Sequence, residues 1–284
     1  MKNTLFLASL LFFYPRYAGA EDQPCECSRC IAVYGDTRSH HDIHAKIAAL
    51  ITARRPEAVF HTGDMVSSGK SGGDWKKFKE ITAGLRAGAS FYAVMGNHES
   101  GGEKTFVDLF HYPGNGRWYR EDMHGIRFIM LDFLSPLEKG SEQFNWLEAQ
   151  LKSPPGKNKF TAVIMHKPLM SSGNHGNEKW KPAKDLETLF KERKVDIIIA
   201  GHDHDYERLE KDGIVHVVTG GGGAGLYSKE SENQYSKVFA EVNNYCMLSV
   251  CGGALKVEVF DISDKLIDSF EIKSEPAAAP GDKK

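Results

Sequence analysis

The chain lacks an excess of charge of either sign. Its 36 Lys and Arg residues stand against 38 Asp and Glu, for a formal net charge of −2. That balance provides no long-range attraction toward nucleic acid or an acidic membrane surface. Cysteine is scarce, with five in 284 residues, and only Cys25, Cys27 and Cys30 are clustered. A zinc knuckle needs a second CxxC or a nearby His, and neither is present, so a disulfide pinning the N-terminal segment is the stronger expectation. With Cys246 and Cys251 the count is odd, which leaves a thiol over or an intermolecular bridge. Beyond the N-terminus no run has the unbroken apolar length of a membrane helix. No solenoid-type repeat appears. The run Gly220 to Gly223 lacks the Lys-Ser/Thr of a phosphate-binding loop and reads instead as backbone passing close to another group.

What is present begins with Lys2, the apolar run Leu5 to Tyr14 and the small residues Ala18-Gly19-Ala20. This is the pattern of a signal peptide over 1–20, cleaved after Ala20, and it implies a secreted or periplasmic protein. A cysteine-containing segment over 21–30 follows, then one domain over 31–273. The Pro/Ala/Lys-rich tail over 274–284 reads as disordered. The composition, 41% hydrophobic and 26% charged, is that of a globular protein.

Along the domain, short apolar runs end on polar side chains. Ile31 to Tyr34 ends on Gly35-Asp36, Ala58 to His61 leads to Gly63-Asp64, and Phe91 to Met95 ends on Gly96-Asn97-His98-Glu99. Thr161 to Met165 ends on His166, and Val195 to Ala200 ends on Gly201-His202-Asp203-His204. Helices are expected between them: one capped by Ser39 and running to about Arg54, then 74–86, 141–152 and 182–193. Trp118 to Met123 and Ile126 to Phe133 read as a hairpin. The last third is β-rich, over His216 to Thr219, Phe239 to Val250 and Leu255 to Asp261, and reads as a second sheet packed on the first. The fold class is therefore α/β, with a second sheet packed against the first.

Carboxylates, a carboxamide and imidazoles after five separate strands need no folding reason to be there. Ligands bind at such strand ends in open α/β sheets. The mixed oxygen and nitrogen donor set suits Mn, Zn or Fe rather than Cu(I) or Ca²⁺. A carboxylate can also bridge two cations about 3.5–4 Å apart. Any one of these residues alone has an ordinary reading as a cap or turn. Asp132 reads equally as a support for a ligand or as a turn acid, and His61 and His216 as packing residues. His41 and His44, one turn apart on the first helix, read as solvated rather than ligating.

These blocks resemble, in order and spacing, the calcineurin-like metallophosphoesterase superfamily. Tyr206-Glu207-Arg208 and the stretch His166 to His175 look most like its purple acid phosphatase branch. The resemblance covers about residues 30 to 262. It implies the metallophosphoesterase fold, two packed mixed β-sheets in a β-sandwich flanked by helices, and two divalent or trivalent metal ions. It implies that Asp64 bridges them, that Asp36 and His204 serve the first, and that Asn97, His166 and His202 serve the second. It places His98 and His175 beside the substrate. Two positions depart from the pattern. Arg38 stands where most members carry a His, and Ser67 stands where purple acid phosphatases carry the Tyr that gives their colour. The first ion is left short of ligands, so water, Ser67 or a nearby His is needed to complete it. Arg38 is a candidate for binding the substrate phosphate.

The expected function is hydrolysis of a small-molecule phosphomonoester by metal-activated hydroxide. His98 or His175 acts as general acid, and Arg38, Asn97, His98 and His175 contact substrate. A phosphodiesterase or nucleotidase is the alternative with the same centre. A non-catalytic phosphate-binding protein is the alternative from a different class.

Overall fold

The computed structural model describes residues 29–274, apart from 154, 155, 177 and 179. The expectations for 1–28 and for 275–284 lie outside the described residues.

The chain opens with three strands, β1 (Cys30–Tyr34), β2 (Ala58–His61) and β3 (Ser90–Ala93). It continues through β4 (Tyr119–Met123), β5 (Ile126–Met130), β6 (Phe160–Ile164) and β7 (Ile197–Ala200). Next come β8 (Tyr206–Lys211), β9 (Ile214–Thr219) and β10 (Ser236–Ala240). It closes with β11 (Asn244–Cys251), β12 (Ala254–Asp261) and β13 (Leu266–Lys273). These form two mixed sheets, ordered β13-β12-β11-β1-β2-β3 and β10-β8-β9-β7-β6-β5-β4. Within them β1, β2 and β3 run parallel, as do β5, β6, β7 and β9.

The sandwich follows from the two-residue period of a strand. Ile31 and Val33 of β1 face the other sheet, alongside Phe60, Phe128, Ile164 and Ile199. Phe60 and Phe128 stack across the interface at 4.2 Å. The intervening Ala32 and Tyr34 face α1 (His41–Ala53), against Ile47, Ala48 and Ile51. Both faces are covered, so the strand reads as a continuous apolar run. Each fully buried Ile on α1 contributes roughly 1.5–3 kcal/mol of apolar burial. On the far side α5 (Glu142–Lys152) and α6 (Ala183–Glu192) cover Ile129, Val163 and Ile198 with Phe144, Leu147, Leu186 and Phe190. The layers are helix, sheet, sheet, helix, as expected.

Several local expectations need correction. The last third is not a sheet of its own. β11 to β13 return to join β1, and β4 to β10 form the other sheet. The polar stretch Tyr-Glu-Arg-Leu-Glu-Lys is a strand, β8, because Glu207 is buried against Ser172 and Ser236. The expected helix over 74–86 is two helices, Gly72–Ile81 and Ala83–Gly88, parted at Thr82, whose hydroxyl donates back to the Phe78 carbonyl at 2.8 Å. Ser39 is not the cap of the first helix. Its φ is +80°, and the preceding-turn position belongs to His40, which makes no side-chain cap bond. Ser141 does cap its helix, accepting from the Phe144 N–H at 3.3 Å. Cys30 and Cys251 are each engaged in a disulfide, and Cys246 is a free thiol that burial pushes up to about 12. Among the described residues no helix is long and apolar enough to cross a membrane.

Candidate metal centre

The carboxyl ends of the parallel strands of both sheets open onto one place. Asp36 follows β1, Asp64 follows β2, Asn97 lies beyond β3, His166 follows β6 and His202 follows β7. Asp36, Asp64 and His202 take left-handed backbone, at φ 57°, 54° and 70°. Such a conformation is uncommon for a side-chain-bearing residue and needs surrounding structure to hold it.

Hydrogen bonds between the loops provide that hold. Asp36 N donates to Gly63 O at 2.9 Å, and the Thr37 and Arg38 amides both donate to Asp64 O, at 3.0 and 3.3 Å. The fully buried Glu99 carboxylate accepts from the backbone N–H of Asp64, Met65, Val66 and Gly96 at 2.7–3.2 Å. It thereby staples the Asp64 loop to the Asn97 loop. Burial and the neighbouring Asp64 nonetheless push Glu99 up to about 8. The Gly220 run behaves as expected, bringing backbone close to the site. A Cβ on Gly201 or Gly220 would lie 2.1 or 3.0 Å from Asp36 Oδ2.

On one side of Asp64, acceptor atoms converge. His166 Nδ1 donates to the Thr62 carbonyl at 2.9 Å, so its Nε2 carries the lone pair. That Nε2 lies 3.0 Å from Asn97 Oδ1, 3.5 Å from Asp64 Oδ1 and 3.1 Å from His202 Nδ1. Asn97 and Asp64 present oxygens that hold no proton to share with it. Burial keeps His166 and His202 neutral by lowering both, with His166 adding to the shift on His202. Neutral imidazoles, a carboxamide oxygen and a carboxylate aimed at one point are a donor set that fits a divalent cation. His202 Nε2 is buried without a hydrogen-bond partner among the described residues. Its outer flank is lined by His175 and Glu178, and these three offer ligand atoms within 4.8 Å of one another, as do Asp36, Asp64 and His166.

On the other side of Asp64 lies a guanidinium. Arg38 Nε donates to Asp64 Oδ2 at 3.3 Å, and Nη2 donates to His204 Nε2 at 3.3 Å. His204 Nδ1 donates to the Gly225 carbonyl at 2.7 Å, and its ring stacks on Tyr227 at 4.1 Å. Burial lowers His204 to about 4. Asp36 lies 3.7 Å from His204 Nε2 and is pushed up by burial and by Asp64. Burial raises Asp64 too, but His166, the His98 amide and Arg38 outweigh it and hold its carboxyl below the usual range.

The expected substrate-side histidines stand at the rim. His98 Nδ1 donates to the Ser67 carbonyl at 2.8 Å, leaving Nε2 3.8 Å from Asp64 Oδ2. Ser67 thus meets the site through its backbone, and its side chain is exposed. His175 Nδ1 donates to Glu178 Oε1 at 2.6 Å, and its ring lies 4.1 Å from that of His202. Asp132 accepts from Leu134 N and Ser135 Oγ and pairs with Arg117, which is turn chemistry. His61 packs edge-on against Tyr34 and bonds Thr37, and His216 is buried in β9. His41 is exposed, whereas His44 is not solvated as expected but buried between Tyr34 and Phe78.

Three residues at the centre carry no sequence expectation. Glu99 sits at the spacing of a capping box after Gly96, a signal that was available. Tyr227 follows the glycine run, and Glu178 comes from a loop with no local signature.

The chain is similar to known proteins in sequence and in fold. The family model described as calcineurin-like phosphoesterase matches residues 31–206. Purple acid phosphatase 21 of Arabidopsis thaliana is 30% identical over 152 residues, 48% of this chain and 35% of that protein. A protein of the same plant named probable inactive purple acid phosphatase 1 is 29% identical over 217 residues, 61% of this chain and 35% of that protein. The chain thus matches about a third of the length of these relatives. A purple acid phosphatase structure from yellow lupin (Lupinus luteus) seeds superposes with a TM-score of 0.77 at 21% identity. It covers 89% of this chain and 57% of the lupin chain, which is likeness of fold.

Proposed function

Because the chain belongs to the calcineurin-like phosphoesterase family, we propose that it is an exported, metal-dependent phosphoesterase acting on small-molecule phosphomonoesters. The observation that carries the reading is the convergence of Asp64 Oδ1, Asn97 Oδ1, His166 Nε2 and His202 Nδ1, four atoms that can ligate one cation. Those four residues would hold the ion, with Asp36 beside them. When bound, the ion supplies Lewis acidity and a water of lowered pKa.

The chain's own groups do the rest. Arg38 keeps guanidinium N–H groups beyond the two engaged with Asp64 and His204, and a planar fork of donors suits phosphoryl oxygens. His98 is oriented by Ser67 so that Nε2 is the atom left for substrate. In its protonated form that nitrogen delivers the proton a leaving alkoxide needs. His175, oriented in the same way by Glu178, is the other candidate donor. Asp64 is held charged, which favours cation binding. The N-terminal pattern, together with disulfide-bonded Cys30 and Cys251, supports export to an oxidising compartment.

The test is hydrolysis of p-nitrophenyl phosphate against bis(p-nitrophenyl) phosphate by metal-stripped protein reloaded with Mn²⁺, Zn²⁺ or Fe. Faster turnover of the monoester, lost together with metal binding in Asp64→Ala, is the expected result. Faster turnover of the diester favours the phosphodiesterase reading. Phosphate binding without turnover favours the non-catalytic one. Full activity of Asp64→Ala on every ester would falsify the assignment of the centre.

A further inference from the structure

The two sides of Asp64 do not fit a cation equally. We infer that this centre binds a single metal ion and that the Arg38 guanidinium permanently fills the place of a second. The inference rests on the metal-dependent reading above and concerns how many ions that reading requires.

Proton accounting decides it. The Gly225 carbonyl can only accept, so the proton of His204 is on Nδ1 and the lone pair is on Nε2. That lone pair is the one ligand atom His204 has to offer, and Arg38 Nη2 occupies it. Asp64 Oδ2 is likewise engaged by Arg38 Nε. An ion on this side would need both atoms, and it would need them beside a cation that cannot be deprotonated. By contrast, Oδ1 of the same Asp64 accepts from the neutral His98 backbone N–H at 3.0 Å, with no cationic side chain on it, and faces the His166 lone pair at 3.5 Å.

Arg38 is not a loose surface side chain that happens to fold inward. Its side chain is 18% exposed, and Asp64 is 1% exposed. Its backbone N–H is tied to the Asp64 carbonyl, so the loops carrying the two residues move together. Tyr227 closes the same side, its ring stacked on His204. A guanidinium in this position does two of the tasks of a second ion. It neutralises the Asp64 charge on that side, and it offers donors to a phosphoryl oxygen. It cannot lower the pKa of a bound water. Asp64 therefore remains a bridging carboxylate, but it bridges one metal ion and one guanidinium.

The test is metal counting on the full chain. Purified protein is stripped with chelator, saturated with Mn²⁺ or Zn²⁺ alone and freed of excess ion, and metal per chain is measured by mass spectrometry and by calorimetric titration. The wild type should bind close to one ion per chain. Arg38→His, which puts a lone pair where the guanidinium stands, should bind close to two. Arg38→Ala, which merely removes the obstacle, should bind a second ion more weakly. Circular dichroism identifies a variant that has not folded, and the other variant then decides. Two tight ions in the wild type overturn the inference and leave the phosphoesterase reading intact. One ion in all three proteins also overturns it, because Arg38 is then not what excludes the second. No ion in any of them defeats the metal-dependent reading itself.

Discussion

Asp64 divides the centre into two halves built from similar residues by different means. On the Oδ1 side, Asn97, His166 and His202 come from the ends of three strands in two different sheets, and their acceptor atoms are left facing one another. On the Oδ2 side, Asp36 and His204 are equally buried, yet donors supplied by the chain meet the acceptors there: Arg38 bonds Asp64 and His204, and the His202 N–H bonds Asp36. Burial alone therefore does not make a metal site. What matters is whether the chain itself satisfies the lone pairs. A half that is internally satisfied is finished on folding, whereas a half left with opposed acceptors is finished only by a cation.

The comparison can be broken at Asp64, which both halves share. Asp64→Ala should abolish metal binding and lower kcat/KM by about 10³-fold or more, roughly 4 kcal/mol of transition-state stabilisation. Calorimetry and steady-state assays should report the two losses together. Glu99→Ala tests the staple beneath both halves. It leaves four buried amides unpaired and should cost about 3 kcal/mol in urea denaturation, while also weakening metal binding through the displaced Asp64 and Asn97 loops. The halves separate in a paired measurement. His202→Ala should weaken metal affinity by about 100-fold or more, beyond what loss of a supporting contact typically costs, whereas His204→Ala should change it by less than about tenfold. Equal losses would show that the halves are equivalent after all.

Acid should act on the metal-free protein. His204 and His216 are each lowered to about 4 from an ordinary 6.5. Below pH 6.5 the unfolded chain takes up protons that the folded chain refuses. Their contribution is therefore intact above about 6.5 and is lost as pH falls toward 4, at up to about 1.4 kcal/mol per pH unit for each. Between pH 7 and pH 5 the stripped protein should lose about 2 kcal/mol from each histidine. His216→Asn, remote from the centre, removes one share; His44 and His61, which burial also lowers, stay in the remainder with the site. The smallest effect is expected at Tyr227→Phe, which keeps the ring on His204 and removes only the hydroxyl. Less than about 1 kcal/mol of stability should change, with any effect on turnover appearing in KM for the ester.

How much of this was legible beforehand depended on how local each signal was. Strand ends marked by Gly35-Asp36, Gly63-Asp64 and Gly201-His202 were readable, because an apolar run closed by a small residue and a donor is a local pattern. Strand β8 was not readable, since the burial of Glu207 depends on Ser172 and Ser236, residues distant in sequence. Assignment of β11 to the first sheet was equally out of reach, because its pairing with β1 joins residues 246 and 33. Glu178 and Tyr227 reach the centre from loops whose course is set by packing, not by pattern.

By itself the sequence determined the family, the layered α/β class and the order of the candidate ligands along the chain. Those properties are carried by hydrophobic period and by short blocks that survive without knowledge of neighbours. Arg38 was visible as a departure and as a candidate for binding the substrate phosphate. Only the tertiary structure decided that its guanidinium stands between Asp64 and His204, because that depends on bringing residues 38, 64 and 204 within hydrogen-bond reach. Sequence names the donors and acceptors of a site. Which acceptor is left without a donor is a property of three-dimensional proximity, and here it separates the half of the centre that needs a metal ion from the half that already holds its cation.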